Sequence, residues 1–277
     1  MSDRTADGAR AGTQTTNATT IASRQWLCVI VVTSVILMPA RPPSAVSLLA
    51  SQAADVSPRE AALTILERAN RPFVPYVAAA GKTLTVVAEL SPASIRAGRW
   101  KDGADVTAMA VGAGGEPLAT AKGRLEAGAY SVAIPLTVSG TWPARVTIAL
   151  RADGERPADD WVRLERPSGT LVGEPVAYRS GSRVAPRPVA GFEFARNERI
   201  RAEWPVLAPL ERRGVRLLDR SGRPLAVELP LSDGQEGRTL VVDMSLSGIV
   251  RGDYLIELTA GSGATIEHRL LAIRIKP

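Results

Sequence analysis

An all-β fold of two tandem sandwiches is what this sequence predicts, and three observations predict it. From residue 72 onward the apolar residues alternate with a period of two, no long helical pattern interrupts them, and two phrases recur at nearly one spacing. With 45% hydrophobic residues the 277-residue chain can bury a real core, and its length suits two small domains better than one large one.

The part before the strands reads differently. Residues 1–25 form a polar leader, and residues 26–38, "WLCVIVVTSVILM", are an apolar run behind Arg24. A membrane helix needs about 20 apolar residues, whereas a shorter run behind a positive charge is the pattern of a secretory signal. The segment 26–53 is therefore expected to be a signal peptide, best cleaved after Ala53 with Ser51 at the −3 position, or an uncleaved N-terminal anchor. Either role places the remainder outside the cytoplasm, in the periplasm, at the cell surface or secreted, touching the membrane only through this segment if it is not removed. The only cysteine, Cys28, lies inside the run, so the exported part can form no disulfide. Asn17-Ala18-Thr19 matches a glycosylation acceptor but precedes the signal.

"SPREAALTILERAN", 57–70, predicts a short helix acting as a linker or as a lid on the first domain. Ser57 is a good N-cap, Pro58 suits the first turn and Glu60 completes a capping box. Strands follow. Leu84, Val86, Ala88 and Leu90 alternate with Thr85, Val87 and Glu89, and the same period runs through 130–136, 146–150, 200–206 and 254–258. All read as half-buried strands, and without long helices between them parallel βαβ units are not expected.

The repeated phrases organise these strands. "TAMAVGAGGEPLAT" (107–120) aligns with "GVRLLDRSGRPLAV" (214–227) at an offset of 107, and "SGTWPARVTIALRA" (139–152) with "SGIVRGDYLIELTA" (247–260) at an offset of 108. Two gapless blocks at nearly one offset point to a duplicated unit. Gly115 and Gly222 can supply positive φ in the two turns, and Pro117 and Pro224 suit edge strands. The domains are then expected at 71–165 and 172–277, joined by a Gly- and Pro-rich linker over 166–188 that carries one strand near 174–179. Units of about 100 residues with turns every 8–12 residues predict immunoglobulin-like or fibronectin-like sandwiches.

The net charge of +6 and the pI of about 10.0 do not make a nucleic-acid protein. Arg212, Arg213, Arg216, Arg220 and Arg223 cluster, but acids are interleaved throughout and aromatics are few, so no stacking platform in a basic groove is expected.

Catalytic and metal motifs are weak. "DMSLS", 243–247, has the Asp-x-Ser-x-Ser spacing of a metal-ion-dependent adhesion site, yet Leu240, Val242, Met244 and Leu246 alternate with Asp243, Ser245 and Ser247. That is the polar face of a strand, so no metal is expected there. His268 is the only histidine, no G-x-S-x-G elbow exists, and Ser180 and Ser182 are ordinary loop serines. Asp102 and Asp105, and Asp159 and Asp160, are the carboxylate pairs a glycosidase would need, although both pairs fall in expected loops where Asp serves turns. Trp100 and Trp161, with Asp102 and Asp160 beside them, are the candidate ligand residues, exposed rings on sandwich loops being one way to hold a sugar.

Taken in order, "RPFVPYVAAAG", "WKDGADVT", "GEPVAYRSG", "FARNERIRAEWPV", "LLDRSGRPLAV" and "RGDYLIELTA" give the chain from about 71 to 277 a resemblance to the C-terminal β-rich tail of large secreted von Willebrand factor A-related proteins of Acidobacteria-type bacteria. The resemblance implies an immunoglobulin-like fold in an extracellular setting. The A domain that precedes such a tail has no counterpart here, so metal-dependent adhesion and its ligand residues are not implied. The expected function is a non-enzymatic interaction or scaffold module of the cell envelope, without cofactor, meeting an envelope or extracellular protein through strand edges or loops and no nucleic acid. The alternatives are a carbohydrate-binding module using the loop tryptophans on a polysaccharide and, more remotely, a hydrolase.

Overall fold

A computed structural model of the chain describes residues 57–64, 66, 71–181, 184–234 and 237–277. The leader, the 26–53 segment with Cys28, the glycosylation motif and Ser182 lie outside the described residues. Among the described residues no helix is long and apolar enough to cross a membrane.

Helix α1 (Pro58–Thr64) opens the described chain. Its capping box forms as the sequence implies: the Glu60 amide donates to Ser57 Oγ at 3.2 Å, and the Ser57 amide to Glu60 Oε2 at 3.2 Å. The first sandwich follows, from β1 (Phe73–Ala80), β2 (Thr83–Leu90), β3 (Ala104–Val111), β4 (Pro117–Leu125), β5 (Ser131–Thr137), β6 (Arg145–Arg151) and β7 (Ala158–Arg163), with helix α2 (Pro92–Arg96) between β2 and β3. One sheet has the order β1-β2-β5 and the other β4-β3-β6-β7.

The second sandwich comprises β8 (Val176–Gly181), β9 (Val184–Val189), β10 (Glu193–Ala195), β11 (Arg199–Pro205), β12 (Arg212–Asp219), β13 (Leu231–Asp233), β14 (Thr239–Ser245), β15 (Gly252–Ser262) and β16 (Thr265–Lys276). Its sheets run β13-β14-β11-β8-β9 and β10-β16-β15-β12. Both sandwiches therefore contain one six-strand plan: β1-β2-β5 corresponds to β8-β11-β14, and β3-β6-β7 to β12-β15-β16. Every named pairing is antiparallel except that of the short β10 with β16. This strand order is immunoglobulin-like.

The repeated phrases occupy equivalent places. In the first turn the Gly112 amide donates to Glu116 O at 2.9 Å and the Gly115 amide to Gly112 O at 3.1 Å. In the second, Asp219 donates to Arg223 O and Gly222 to Asp219 O, both at 2.9 Å. Donors and acceptors all correspond at the offset of 107, and Gly115 and Gly222 hold φ of 90° and 83°, the left-handed region in which a β-carbon is strained. The second phrase places β6 over β15, with one difference. Val111 faces Arg145, whereas its counterpart Leu218 faces Leu255, two residues beyond the counterpart of Arg145. A shift of two leaves every side chain on its own face.

Strands β1 and β2 depart from the expected half-buried pattern, while β5 keeps it. Phe73, Val77, Leu84, Val86 and Ala88 pack into the first core, while Tyr76, Ala78 and Val87 on the opposite face join the core of the second sandwich. A sheet covered on both faces reads as a continuous apolar run, which "YVAAA" and "TVVA" are. Helix α1 departs too. It packs on β16, Leu63 and, just beyond the helix, Leu66 being buried in the second core, and Arg59 donates to Ser221 O at 2.6 Å. It covers the second sandwich rather than the first, because its apolar residues Ala62 and Leu63 join that core.

Candidate functional site

The four residues singled out as ligand candidates separate in space. Trp100 follows α2 and is buried at 1% exposure in the core of the first sandwich, with φ of 55° and the Arg99 guanidinium 4.0 Å over its ring. It cannot serve as a platform; a small sandwich uses this ring to close the end of its core, which the neighbouring Asp-Gly turn disguised. Asp102 sits in that turn, exposed. Trp161 is 55% exposed, on strand β7 and not in a loop. Asp160 precedes it, held by Arg71 at 2.6 Å and accepting the Trp161 amide at 2.8 Å. No row of two tryptophans exists.

Of the carboxylates proposed for hydrolysis, Asp102 lies in the turn, while Asp105, Asp159 and Asp160 lie on strands beside arginines. Asp105 is 2.9 Å from Arg124 and Asp159 is 2.7 Å from Arg151. Asp243 accepts from Arg199 at 2.8 Å, and Ser245 and Ser247 bond each other at 3.0 Å, so "DMSLS" is an ion-paired strand face. His268, on β16, lies 3.3 Å from Thr259 Oγ1 and 3.3 Å from Glu257. Among the described residues no cluster of three metal-ligating side chains forms. The arginine run is dispersed along β12 and beyond: Arg213 pairs with Asp233, Arg216 with Glu257 and Arg220 with Asp253, and Arg212 donates to Gly263 O. It is a salt-bridged sheet face.

Two assemblies stand out instead. The first is the junction between the sandwiches. Glu89 projects from β2 and is 9% exposed. Its carboxylate meets Arg179 Nη1 at 3.0 Å and accepts the amides of Ala190 and Gly191, each at 2.8 Å. Arg179 also donates to Glu193 O and lies 3.1 Å from Glu198. Beside this network Tyr76 meets Phe192 edge-on, ring centroids 4.8 Å apart, and the Tyr76 hydroxyl donates to Pro175 O at 2.7 Å. Phe192 is fully buried at φ of 51°, a strained conformation that persists only where the surroundings dictate it.

A cleft of about 520 Å³ opens beside the junction, with Arg163, Arg166, Glu174 and Arg269 in its wall. Glu174 and Ala79 bond reciprocally, the Glu174 amide to Ala79 O at 2.8 Å and the Ala79 amide to Glu174 Oε2 at 3.0 Å. Burial pushes the Glu174 carboxyl pKa up, against the opposing pull of the Ala79 amide and Arg269. Gly173 is required here, since a β-carbon would fall 2.8 Å from Ala79 O. Glu267 pins the linker, accepting the amides of Thr170 at 2.5 Å, Leu171 at 3.0 Å and Val172 at 3.4 Å. Burial alone would raise its pKa, but those three amides and Arg269 outweigh it and hold the carboxyl below its usual value.

The second assembly is the outer face of sheet β4-β3-β6-β7. One row runs Thr120, Met109, Thr147, Trp161; the next runs Lys122, Thr107, Ala149, Asp159. Beyond Trp161, Arg145 and Arg163 stand directly opposite each other, both exposed. Sequence reading passed over this pair and over Glu89. The arginines are eighteen residues apart with nothing local to join them, and Glu89 was placed on a solvent face by its period alone.

No family model matches the chain, and no curated protein matches it. Among solved structures the chain is similar to titin immunoglobulin tandem domains A164–A165, at 8% identity over 74% of this chain and 97% of that one, with a TM-score of 0.23. It is also similar to murine CEACAM1b, at 11% identity over 74% of this chain and 100% of that one, with a TM-score of 0.21, and to the titin I-band fragment I67–I69, at 13% over 73% and 66%, with a TM-score of 0.23. The strand order and register within this chain give two immunoglobulin-like sandwiches in tandem.

Proposed function

We propose that the chain is a non-catalytic interaction or scaffold module whose two sandwiches act as one rigid body and hold a protein partner at a strand edge. The observation that carries this reading is the junction. Strands β1 and β2 are buried on both faces and locked through Glu89, so the arm has a fixed shape and its outward edges keep a fixed relation. The longest edge strand is β4, nine residues beginning at Pro117 and paired only with β3. An extended segment can add to such an edge through main-chain hydrogen bonds. At the opposite edge Asp160 caps the Trp161 amide, and beside β12 the Leu225 amide takes Leu217 O at 2.9 Å, so those edges are partly closed. The apolar 26–53 segment and the resemblance to secreted adhesion-related tails support an extracytoplasmic setting.

The test is photo-crosslinking from the full chain in cells, with the cross-linker at Leu118 or Thr120 on β4 and, as control, at Ser232 on β13. One discrete adduct from the β4 positions alone is expected. Equal yields from all three positions, or none, contradict the reading. Polysaccharide binding is the second reading, supported by the exposed Trp161 without Trp100.

A further inference from the structure

Arg145 and Arg163 are like charges placed directly opposite each other on the first sandwich, both exposed. Facing side chains on neighbouring antiparallel strands have β-carbons about 5 Å apart, and like charges so placed repel. Among the described residues neither guanidinium has a carboxylate at ion-pair distance. The acids nearest in β7 are engaged elsewhere, Asp159 with Arg151 and Asp160 with Arg71, and Glu165 lies beyond the strand in the linker. A pair that weakens its own sheet invites a ligand that neutralises it.

Trp161 is the next outward residue along β7, about 7 Å from Arg163 at the strand repeat. Its cross-strand neighbour is Thr147, and Ala149 and Thr107 continue a low, flat deck toward Lys122 on β4, another cation with no acid at ion-pair distance among the described residues. Around Trp161 the face offers one exposed aromatic ring, the two guanidiniums of Arg145 and Arg163, the short Thr147 and Ala149, and Asp159, whose charge Arg151 already pairs. A protein interface of ordinary size needs about 800 Å² per side around an apolar centre, and this deck has no such centre. At the adjoining edge the Trp161 amide, one of the donors an added strand would use, is already taken by Asp160. A pyranose ring stacks on indole, and guanidinium binds carboxylate in bidentate fashion.

We propose that this face binds an acidic polysaccharide, a sugar ring lying on Trp161 while Arg145 and Arg163 receive the carboxylates of its uronate units. The site goes beyond the protein-partner reading and does not rest on it, because that reading has its own test at the β4 edge.

The experiment is calorimetric titration of the full chain with an oligogalacturonide, with an uncharged gluco-oligosaccharide and poly-glutamate as parallel probes. The expected result is saturable binding of the oligogalacturonide alone, weakened on the order of tenfold or more by R145Q/R163Q and by W161A, and reduced by salt. All three residues are exposed, so both variants should stay folded. The double variant, freed of its repulsion, should unfold at a midpoint no lower than the parent, which separates loss of binding from loss of structure. The proposal is overturned by absent oligogalacturonide binding, by binding that survives both variants, or by poly-glutamate binding as well, which would mark the face as a site for acidic protein.

Discussion

Glu89 and Arg179 belong to different sandwiches and lie 3.0 Å apart, the Glu89 carboxylate also receiving the Ala190 and Gly191 amides. A half-buried guanidinium and two amides around one buried carboxylate make removal of that carboxylate costly, since it leaves three donors unpaired. Glu89→Ala should lower unfolding free energy by about 2–3 kcal/mol and split one urea transition into two. A single transition at the parental midpoint would show that the junction contributes nothing.

The two tryptophans weighed together in the sequence should behave oppositely. Trp100→Ala empties a fully buried site and should cost about 3–5 kcal/mol, whereas Trp161→Ala should change stability by less than about 0.5 kcal/mol. Thermal midpoints of the two variants check this, and similar losses would contradict the burial assigned to each.

If the two turns are equivalent, they should respond alike to the same insult. Gly115→Ala meets open space and Gly222→Ala meets only the Arg59 side chain at 3.5 Å, so in both the strain of positive φ dominates. Each should lose about 1–2 kcal/mol, measured by urea denaturation. A cost at one turn only would mean that the shared hydrogen bonds do not reflect shared geometry.

Glu174 sets an alkaline-side dependence. Its folded pKa is raised, so its favourable contribution is complete below the unfolded value, near about 4.3, and declines as pH rises through the folded pKa. Glu174→Gln, which keeps an acceptor for the Ala79 amide, should match the parent at pH 4 and exceed it in stability at pH 8. Glu267 has the opposite sign. Its lowered pKa gives stability that is present above the unfolded value and lost as pH falls through the folded one. A Gln variant no more stable at pH 8 than at pH 4, relative to the parent, would refute the burial cost assigned to Glu174.

Much of the fold was legible because the sandwich writes itself in period two and in its turns. Alternation located β2, β5, β6, β11 and β15, and the 107-residue echo marked equivalent turns because glycine is demanded at both. What stayed hidden was long-range. Val87 and Glu89 fall on the polar phase of β2, and only the arrival of Phe192 and Arg179, about a hundred residues later, turns that phase into a core. Trp100 misled for the converse reason: an Asp-Gly turn beside it signals exposure, while the ring folds back under the sheet. Of the candidate site, Trp161 could be read locally, and the arginines that give it chemistry could be found only once the β6–β7 register was known.

Whether the two sandwiches move as one rigid body is tested most directly by electron–electron distance measurement between spin labels at Thr120→Cys and Ala264→Cys in a Cys28→Ser background of the full chain. One narrow distance distribution, broadened by Glu89→Ala, is the predicted result. A broad distribution in the parent, or one that Glu89→Ala leaves unchanged, would contradict the rigid body.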